Sequence, residues 1–389
     1  MRVEFNCGDF KKAVDRVLAV VPKKPSFEQL KTVKLEAKDD KVVVSGTDLE
    51  GYVKVYIDAK VIESGASFIM YDDIKKIYKL DGLVTLDADS EKQKCCTISN
   101  HKKKSTVPTH DYANSDIEFP ADVNEFIMEI TEHELVCVLS ELSVFLGSPT
   151  NRAMASYSFD GKYNRIVALD GHYLCIKNMK NTFKSERKVV VPGEVFPHIK
   201  KVANAKSNNI VTAYINNKYI KFCGVDFEYT YRLADCEYFN VDSLFKNMND
   251  EFEFTVDSDE FKILAKDYKS TVTDENKNPM LMLIENDGLH TGLFMSDYST
   301  ADVVSGFQIN NTLKKSLFYG FNPRYIFNSM QLFDGNVNVK GSYKSSVVTG
   351  TQNSPLVFHD DTYTVLILPV RTDEEIMNNF KSYISVVQR

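Results

Sequence analysis

"RIVALDGHYLCIKN", residues Arg165 to Asn178, places an acid and an imidazole two residues apart behind an apolar run. Asp170 and His172 have the chemistry of a general-base pair. The same letters also read as two strands joined by a polar turn, and the choice between these readings decides the fold. Two further stretches settle the comparison: "KVVVSGTDLEGYVKV" (Lys41 to Val55) and "LHTGLFMSDYSTADVV" (Leu289 to Val304). Each joins two strand-like runs through an Asp-containing turn, and Asp48, Asp170 and Asp297 fall in register about 125 residues apart. An Asp at such a turn can accept backbone N–H bonds and close it, with no chemistry required. His172 has no counterpart, because Glu50 and Ser299 stand near its place in the other two stretches.

Two more anchors repeat at the same period. "RVEFNCGDFKKAVDRVL", "EFIMEITEHELVCVLSEL" and "FEFTVDSDEFKILAKDY" each run from an alternating strand through a polar turn into a helix. Their helices align on Phe10, Leu135 and Phe261. Phe10, Val14 and Val17, then Leu135, Leu139 and Leu142, then Phe261, Leu264 and Tyr268 give each helix one apolar face. "SFIMYDDIKKIYKL", "KVVVPGEVFPHIKKVA" and "LFYGFNPRYIFNSMQLF" each lead a strand into a second helix. Three anchors at one period predict an α+β chain of three copies of one unit, each with two helices and antiparallel sheets. Polar, turn-rich stretches at His110 to Asp122 and Phe245 to Glu251 set the expected domains at 1–122, 123–250 and 251–371, followed by an extension, 372–389.

The 389-residue chain is 43% hydrophobic and 26% charged, as expected of a globular protein of several domains. It lacks an apolar run of about 18 residues, and "MRVEFNCGDFKK" lacks a signal-peptide core, so a cytoplasmic location is expected. Seven cysteines without CxxC spacing read as buried, reduced thiols rather than a zinc site or disulfide framework. The net charge of −7 argues against holding nucleic acid by bulk attraction, while leaving room for a local basic surface.

With "GTDLE", "ALDGHYL", "YGFNPRYIFNSMQLF" and the late "VLILPVR" in this order and spacing, the chain resembles the bacterial sliding clamps, the beta subunits of DNA polymerase III, from Met1 to Arg371. The resemblance implies the DNA clamp fold, with a head-to-tail homodimer closing six domains into a ring around duplex DNA, independent of sequence. It implies no catalysis and no cofactor or metal. Implied partners are the DNA polymerase III alpha subunit, the clamp loader complex, and other clamp-binding polymerases and repair proteins; no membrane is involved.

Lysine placement is expected to serve that function. Five of six predicted helices carry cations for phosphate: Lys11, Lys12 and Arg16; Lys75, Lys76 and Lys79; Lys200, Lys201 and Lys206; Lys262, Lys266 and Lys269; and Arg324. Lys24 matches a DNA-contacting position of the family, and Lys23 adjoins it. Few loose phosphate contacts give weak, salt-sensitive attraction without base readout.

By resemblance, partner peptides with apolar anchors enter a pocket between the second and third domains. Its wall would comprise Ala155, Leu169, Gly171, His172, Tyr173, Leu174, Leu244, Ser346, Leu366, Ile367, Leu368, Pro369, Val370 and Arg371. The family often has Thr at Leu169, Arg at Tyr173, and Pro and Arg at Phe239 and Ser243, so a greasier, less cationic pocket is expected here. Pro369 marks an edge strand or a strand end. Ring closure would involve Lys102, Lys103, Lys104 and Val272, with ion pairs to Asp297 or Asp302. The extension, which runs past the usual family end, predicts a helix opened by a Thr372–Glu375 capping box. Its apolar face would comprise Ile376, Phe380, Tyr383, Ile384 and Val387, docked on the outside of the third unit. The rivals are a clamp-fold adaptor that does not encircle DNA, and a hydrolase using Asp170 and His172.

Overall fold

The computed structural model describes residues 1–77, 80–88, 95–110, 118–180, 182–246, 248–271, 279–285, 288–294, 301–307, 310–311, 313–344, 353–372 and 374–387. Among them, eight α-helices occur: α1 (Cys7–Val17), α2 (Tyr71–Ile74), α3 (Glu132–Ser143), α4 (Val195–Val202), α5 (Val241–Lys246), α6 (Ser258–Thr271), α7 (Pro323–Met330) and α8 (Glu374–Val387). The repeat anchors hold. Phe10, Leu135 and Phe261 are each fully buried in α1, α3 and α6, as are Val14, Val17, Leu139 and Leu142, with Leu264 nearly so. The side chain of Tyr268 lies outside the described residues. Local chemistry sets the helix starts. The Asn6 side chain accepts from the Gly8 amide, and that of Asn322 accepts from the Arg324 amide with Pro323 in the first turn.

The residues pack as two compact units: Met1–Ser140, Gly161–Tyr163 and Asn181–Asp235 form the first, and Glu141–Asp160, Asn164–Lys180 and Cys236–Arg389 the second. In the first, a twelve-stranded antiparallel sheet crosses from one repeat to the next where Gly51–Glu63 pairs with Phe227–Arg232, Val53 opposite Tyr229. In the second, Tyr173–Asn178 pairs with Tyr363–Ile367, Leu174 opposite Leu366. The two junctions have the same construction. In each, the strand that follows the Asp turn of one repeat pairs with the last strand of the next repeat's core.

The second unit also holds a four-stranded sheet ordered Ala301–Phe307, Gly288–Phe294, Met280–Glu285 and Leu317–Phe321. Alternation sends Leu281, Leu283 and Phe318 to one face, where they meet Met377 and Phe380 of α8. The extension therefore docks on the third repeat's sheet, but the capping box does not form. The helix starts at Glu374, which puts Thr372 too early, and its buried hydroxyl has no hydrogen-bond partner. Met377 joins Phe380 on the buried face, while the side chains of Tyr383, Ile384 and Val387 lie outside the described residues.

Two more expectations change. Phe245 to Glu251 is not a bare linker, since α5 runs to Lys246 and Phe245 and Met248 pack on a core cluster. None of the seven cysteines is in a disulfide, but only Cys7, Cys96 and Cys175 are buried. Burial raises the thiol pKa of Cys175 well above its ordinary value.

Candidate functional site

The stretch that opened the sequence is a hairpin. Arg165–Leu169 and Tyr173–Asn178 pair antiparallel, Leu169 opposite Leu174. At its tip Asp170 Oδ1 accepts the amides of His172 at 2.8 Å and Tyr173 at 3.0 Å, while Gly171 takes φ 93°, which glycine tolerates best. Asp48 closes its own hairpin in the same way, accepting from Glu50 at 3.1 Å and Gly51 at 2.6 Å. Asp297 and Ser299 lie outside the described residues. Asn216 and Asp360 perform the same task at two other hairpins. A carboxylate that holds two backbone amides of its own hairpin is a turn former.

The Tyr173 strand and the "VLILPVR" segment are neighbours. Tyr363–Ile367 lies between two strands, so Pro369 marks a strand end and not an edge. Past that end, the Leu368 amide donates to the His172 carbonyl at 2.8 Å. Alternation then divides the predicted wall. Leu169, Leu174 and Leu366, with Val167, Ile176 and Val357, form one apolar face covered by Val241 of α5. Met154, Tyr238, Phe245 and Met248 pack around it half-buried. Nearby in the chain, Leu244 of α5 and Leu368 stay 46% and 38% exposed, and Gly171 and His172 are exposed too.

Tyr173 and Ile367 face the other way. Tyr173 stacks on Tyr325 of α7, ring centroids 4.2 Å apart, and lies 4.6 Å from Phe145. Its hydroxyl donates to the Val144 carbonyl, and burial raises its pKa above the ordinary tyrosine value. Burial also pushes Tyr325 up to about 12, with Asp170 adding to the shift. Tyr173 therefore contributes its backbone to the lip, and its ring does not change the character of the apolar patch. Ala155 is half-buried just before the Ser156–Asp160 strand, Pro369 is half-buried and Arg371 exposed. Val370 is half-buried, and its amide donates to the Gly320 carbonyl at 2.8 Å. Ser346 lies outside the described residues.

Sequence reading missed Met154 and Tyr238, which come from irregular segments, and Val241 and Phe245, whose helical spacing with Met248 reaches little beyond the short α5. It also missed what pins α5. Arg165 pairs with Asp160 at 3.0 Å and with Asp242 of α5 at 2.9 Å, and the Tyr238 hydroxyl donates to the Val167 carbonyl at 3.2 Å.

The candidate DNA-facing cations other than Arg16 and Lys79 fall into three groups. Lys11, Lys12, Lys23, Lys24, Lys200, Lys201, Lys266 and Arg324 are exposed, with Lys12 also 3.3 Å from Asp9. Lys75 and Lys76 are exposed but follow α2, which ends at Ile74, and Lys76 pairs with Asp73; Lys206 likewise lies beyond α4. Lys262 is held by Asp259 at 3.0 Å and the Phe333 carbonyl at 2.8 Å, and Lys269 sits over the Phe327 ring at 4.0 Å. Arg16 is a different case. Its guanidinium pairs with Asp226 at 2.6 and 3.0 Å, donates to the Val202 carbonyl at 2.6 Å and lies over Phe227. It joins α1 to elements of the second repeat and is withdrawn from the phosphate-facing set. Lys79 lies outside the described residues.

Of the candidate closure residues, Lys104 begins the Lys104–Pro108 strand at one end of the twelve-stranded sheet. Lys102 and Lys103 occupy the preceding turn, their amides bound by Asn100 Oδ1. Asp302 belongs to the Ala301–Phe307 strand, although its side chain, Val272 and Asp297 lie outside the described residues. Among the described residues no cluster of His, Cys, Asp or Glu could hold a metal, and no helix is long and apolar enough to cross a membrane.

Three repeats joined through strand pairing, with helices packed on extended antiparallel sheets, define a clamp-type α+β fold. No protein-family model matches the chain. In sequence it is 21% identical over 381 residues to the beta sliding clamp of Bacillus subtilis, covering 92% of this chain and 97% of that protein. In structure it superposes with a TM-score of 0.83 on a putative DNA polymerase III beta subunit from Eubacterium rectale, 22% identical, covering 95% and 99% of the two chains. The DNA polymerase sliding clamp of Bacillus subtilis gives the same TM-score at 18% identity, covering 96% and 100%. The chain has the fold of the beta sliding clamps and resembles them in sequence along nearly its whole length.

Proposed function

We propose that the protein is a DNA sliding clamp, a non-catalytic processivity factor that encircles duplex DNA and tethers a replicative polymerase and other partners. One observation carries the reading. The two repeat junctions in the chain are built alike, and among the described residues the third junction of the series is left open at both ends. The post-turn strand of the third repeat, Ala301–Phe307, ends its sheet, and the last strand of the first repeat, Lys104–Pro108, ends the other. A second copy supplies the missing partner at each end, so the same pairing repeated head to tail closes a ring of six units. The oriented edges, with Lys104 on one and Asp302 on the other, favour that closure over random edge pairing.

Partners then enter at the apolar patch bordered by Leu244, His172 and Leu368, where a short peptide with apolar anchors gains most from burial. Lys11, Lys200, Lys201 and Lys266 attract phosphate weakly, and topology does the holding. Polymerase and clamp loader are the partners this mechanism requires, and replication in the cytoplasm is its setting. Size-exclusion chromatography with light scattering tests the closure. A mass near twice 44.3 kDa supports the ring, and a monomer at micromolar concentration overturns it.

A further inference from the structure

The wall segment Leu368–Arg371 belongs to no strand, yet it borders the proposed peptide site. Its fixed points can be counted. The Leu368 amide is bound by the His172 carbonyl and the Val370 amide by the Gly320 carbonyl, both at 2.8 Å. Gly320 permits the approach: a Cβ there would stand 2.6 Å from Thr372 Cγ2 and 3.4 Å from Val370 Cγ2. Phe318, two residues earlier on the same strand, seats α8. It packs with Leu281, Leu283, Met377 and Phe380, its ring 5.7 Å from that of Phe380. One strand thus receives the wall at Gly320 and the helix at Phe318, on either side of a short connection.

We infer that α8 is a positioning element of the peptide site, with Phe380 as its anchor. The docked helix holds the far end of a segment whose backbone, among the described residues, is tied by the hydrogen bonds at Leu368 and Val370 and by packing against Gly320. A four-residue stretch with a loose end samples many backbone states, and a peptide must order it on binding. Fixing the backbone of a single residue corresponds to roughly tenfold in an equilibrium constant. With α8 docked that ordering is already complete, and the peptide meets a formed wall. Helix and peptide touch different surfaces, so the coupling runs through the connection and not through shared contacts.

The inference rests on the peptide-site reading, and the test separates the two. Affinity for a fluorescein-labelled hexapeptide ending in Leu-Phe is measured in the full chain, in Leu368→Asp, in Phe380→Asp and in Phe380→Leu. Backbone hydrogen exchange is followed in parallel at Val370 and at Cys175. The expected result is about tenfold weaker binding in Phe380→Asp, with faster exchange at Val370, unchanged protection at Cys175, and near-normal behaviour in Phe380→Leu. Should Phe380→Asp bind as the parent does, or Val370 stay protected with α8 undocked, the positioning role is overturned. Loss of protection at Cys175 as well would mark general unfolding and also count against it. A parent protein that fails to bind the hexapeptide, or binds it equally in Leu368→Asp, overturns the peptide site itself.

Discussion

The Leu368 amide donates to the His172 carbonyl, so the hairpin that looked catalytic and the C-terminal wall share one hydrogen-bonded lip. Leu368 stands 38% exposed at that lip beside a core of Leu169, Leu174 and Leu366. An aspartate there keeps the backbone bond and places a charge where an apolar anchor must desolvate it. Leu368→Asp is expected to weaken peptide binding at least a hundredfold while leaving the dimer mass unchanged. Fluorescence anisotropy and light scattering on the same preparation check both halves.

Asp170 holds two backbone amides, while His172 is exposed. Asp170→Ala removes the acceptor of both amides at this partly exposed turn and is expected to cost about 1–2 kcal/mol of stability. His172→Ala is expected to change stability by under about 0.5 kcal/mol. Urea titration of both variants decides. Equal effects would remove the turn-former assignment.

Arg16 and Lys201 differ in what surrounds them. Arg16→Ala removes a charged donor from the Val202 carbonyl and is expected to destabilise by roughly 1.5–3 kcal/mol, leaving the salt dependence of DNA binding unchanged. Lys201→Ala is expected to leave stability alone and lower the log–log salt slope of DNA binding by about one. A salt series on nicked circular DNA, paired with thermal unfolding, tests the exchange of roles.

His198 in α4 bonds the Tyr229 hydroxyl at 2.7 Å, with Asp48, Glu194 and Lys201 as its charged neighbours. Burial lowers its pKa from the ordinary 6.5 against the opposing pull of Asp48. The unfolded chain therefore binds the proton more readily than the folded one. The stability contribution is complete above pH 6.5 and is lost as pH falls from there through the folded value. Between pH 7.5 and 5 the parent is expected to lose more stability than His198→Asn, and parallel urea midpoints at four pH values measure the difference.

The apolar faces around Phe10, Leu135 and Phe261 and the turn at Asp170 were legible because periodicity and turn chemistry are local. Arg16 was misassigned because its partner Asp226 lies far along the chain, and an unpaired arginine on a helix reads as a surface cation. Tyr173 was misplaced for a related reason: the alternation of its strand was readable, but Tyr325 and Phe145 on its other face were not. Met154 left no signal, since it comes from a turn that the core recruits, while Val241, Phe245 and Met248 do recur at helical spacing but over too short a polar stretch to stand out. The extension was legible as a helix with Phe380 on its apolar face. Its start was misread because Thr372 and Glu375 satisfy a spacing rule that the chain meets one register too early.

Closure between copies should respond to salt. The Lys104–Pro108 edge offers backbone donors and acceptors, and Lys102 and Lys103 in the preceding turn add positive charge. Backbone pairing across the two edges is nearly indifferent to ionic strength. An ion pair of those lysines with Asp302, if closure uses one, is not, since the screening length falls from about 10 Å at 0.1 M to about 3 Å at 1 M salt. The dimer dissociation constant is therefore expected to rise about tenfold across that range. Replacing Lys102, Lys103 and Lys104 with glutamine should flatten the response. Sedimentation velocity over the salt series reads both, and a parent dimer indifferent to salt would assign closure to backbone and apolar contacts alone.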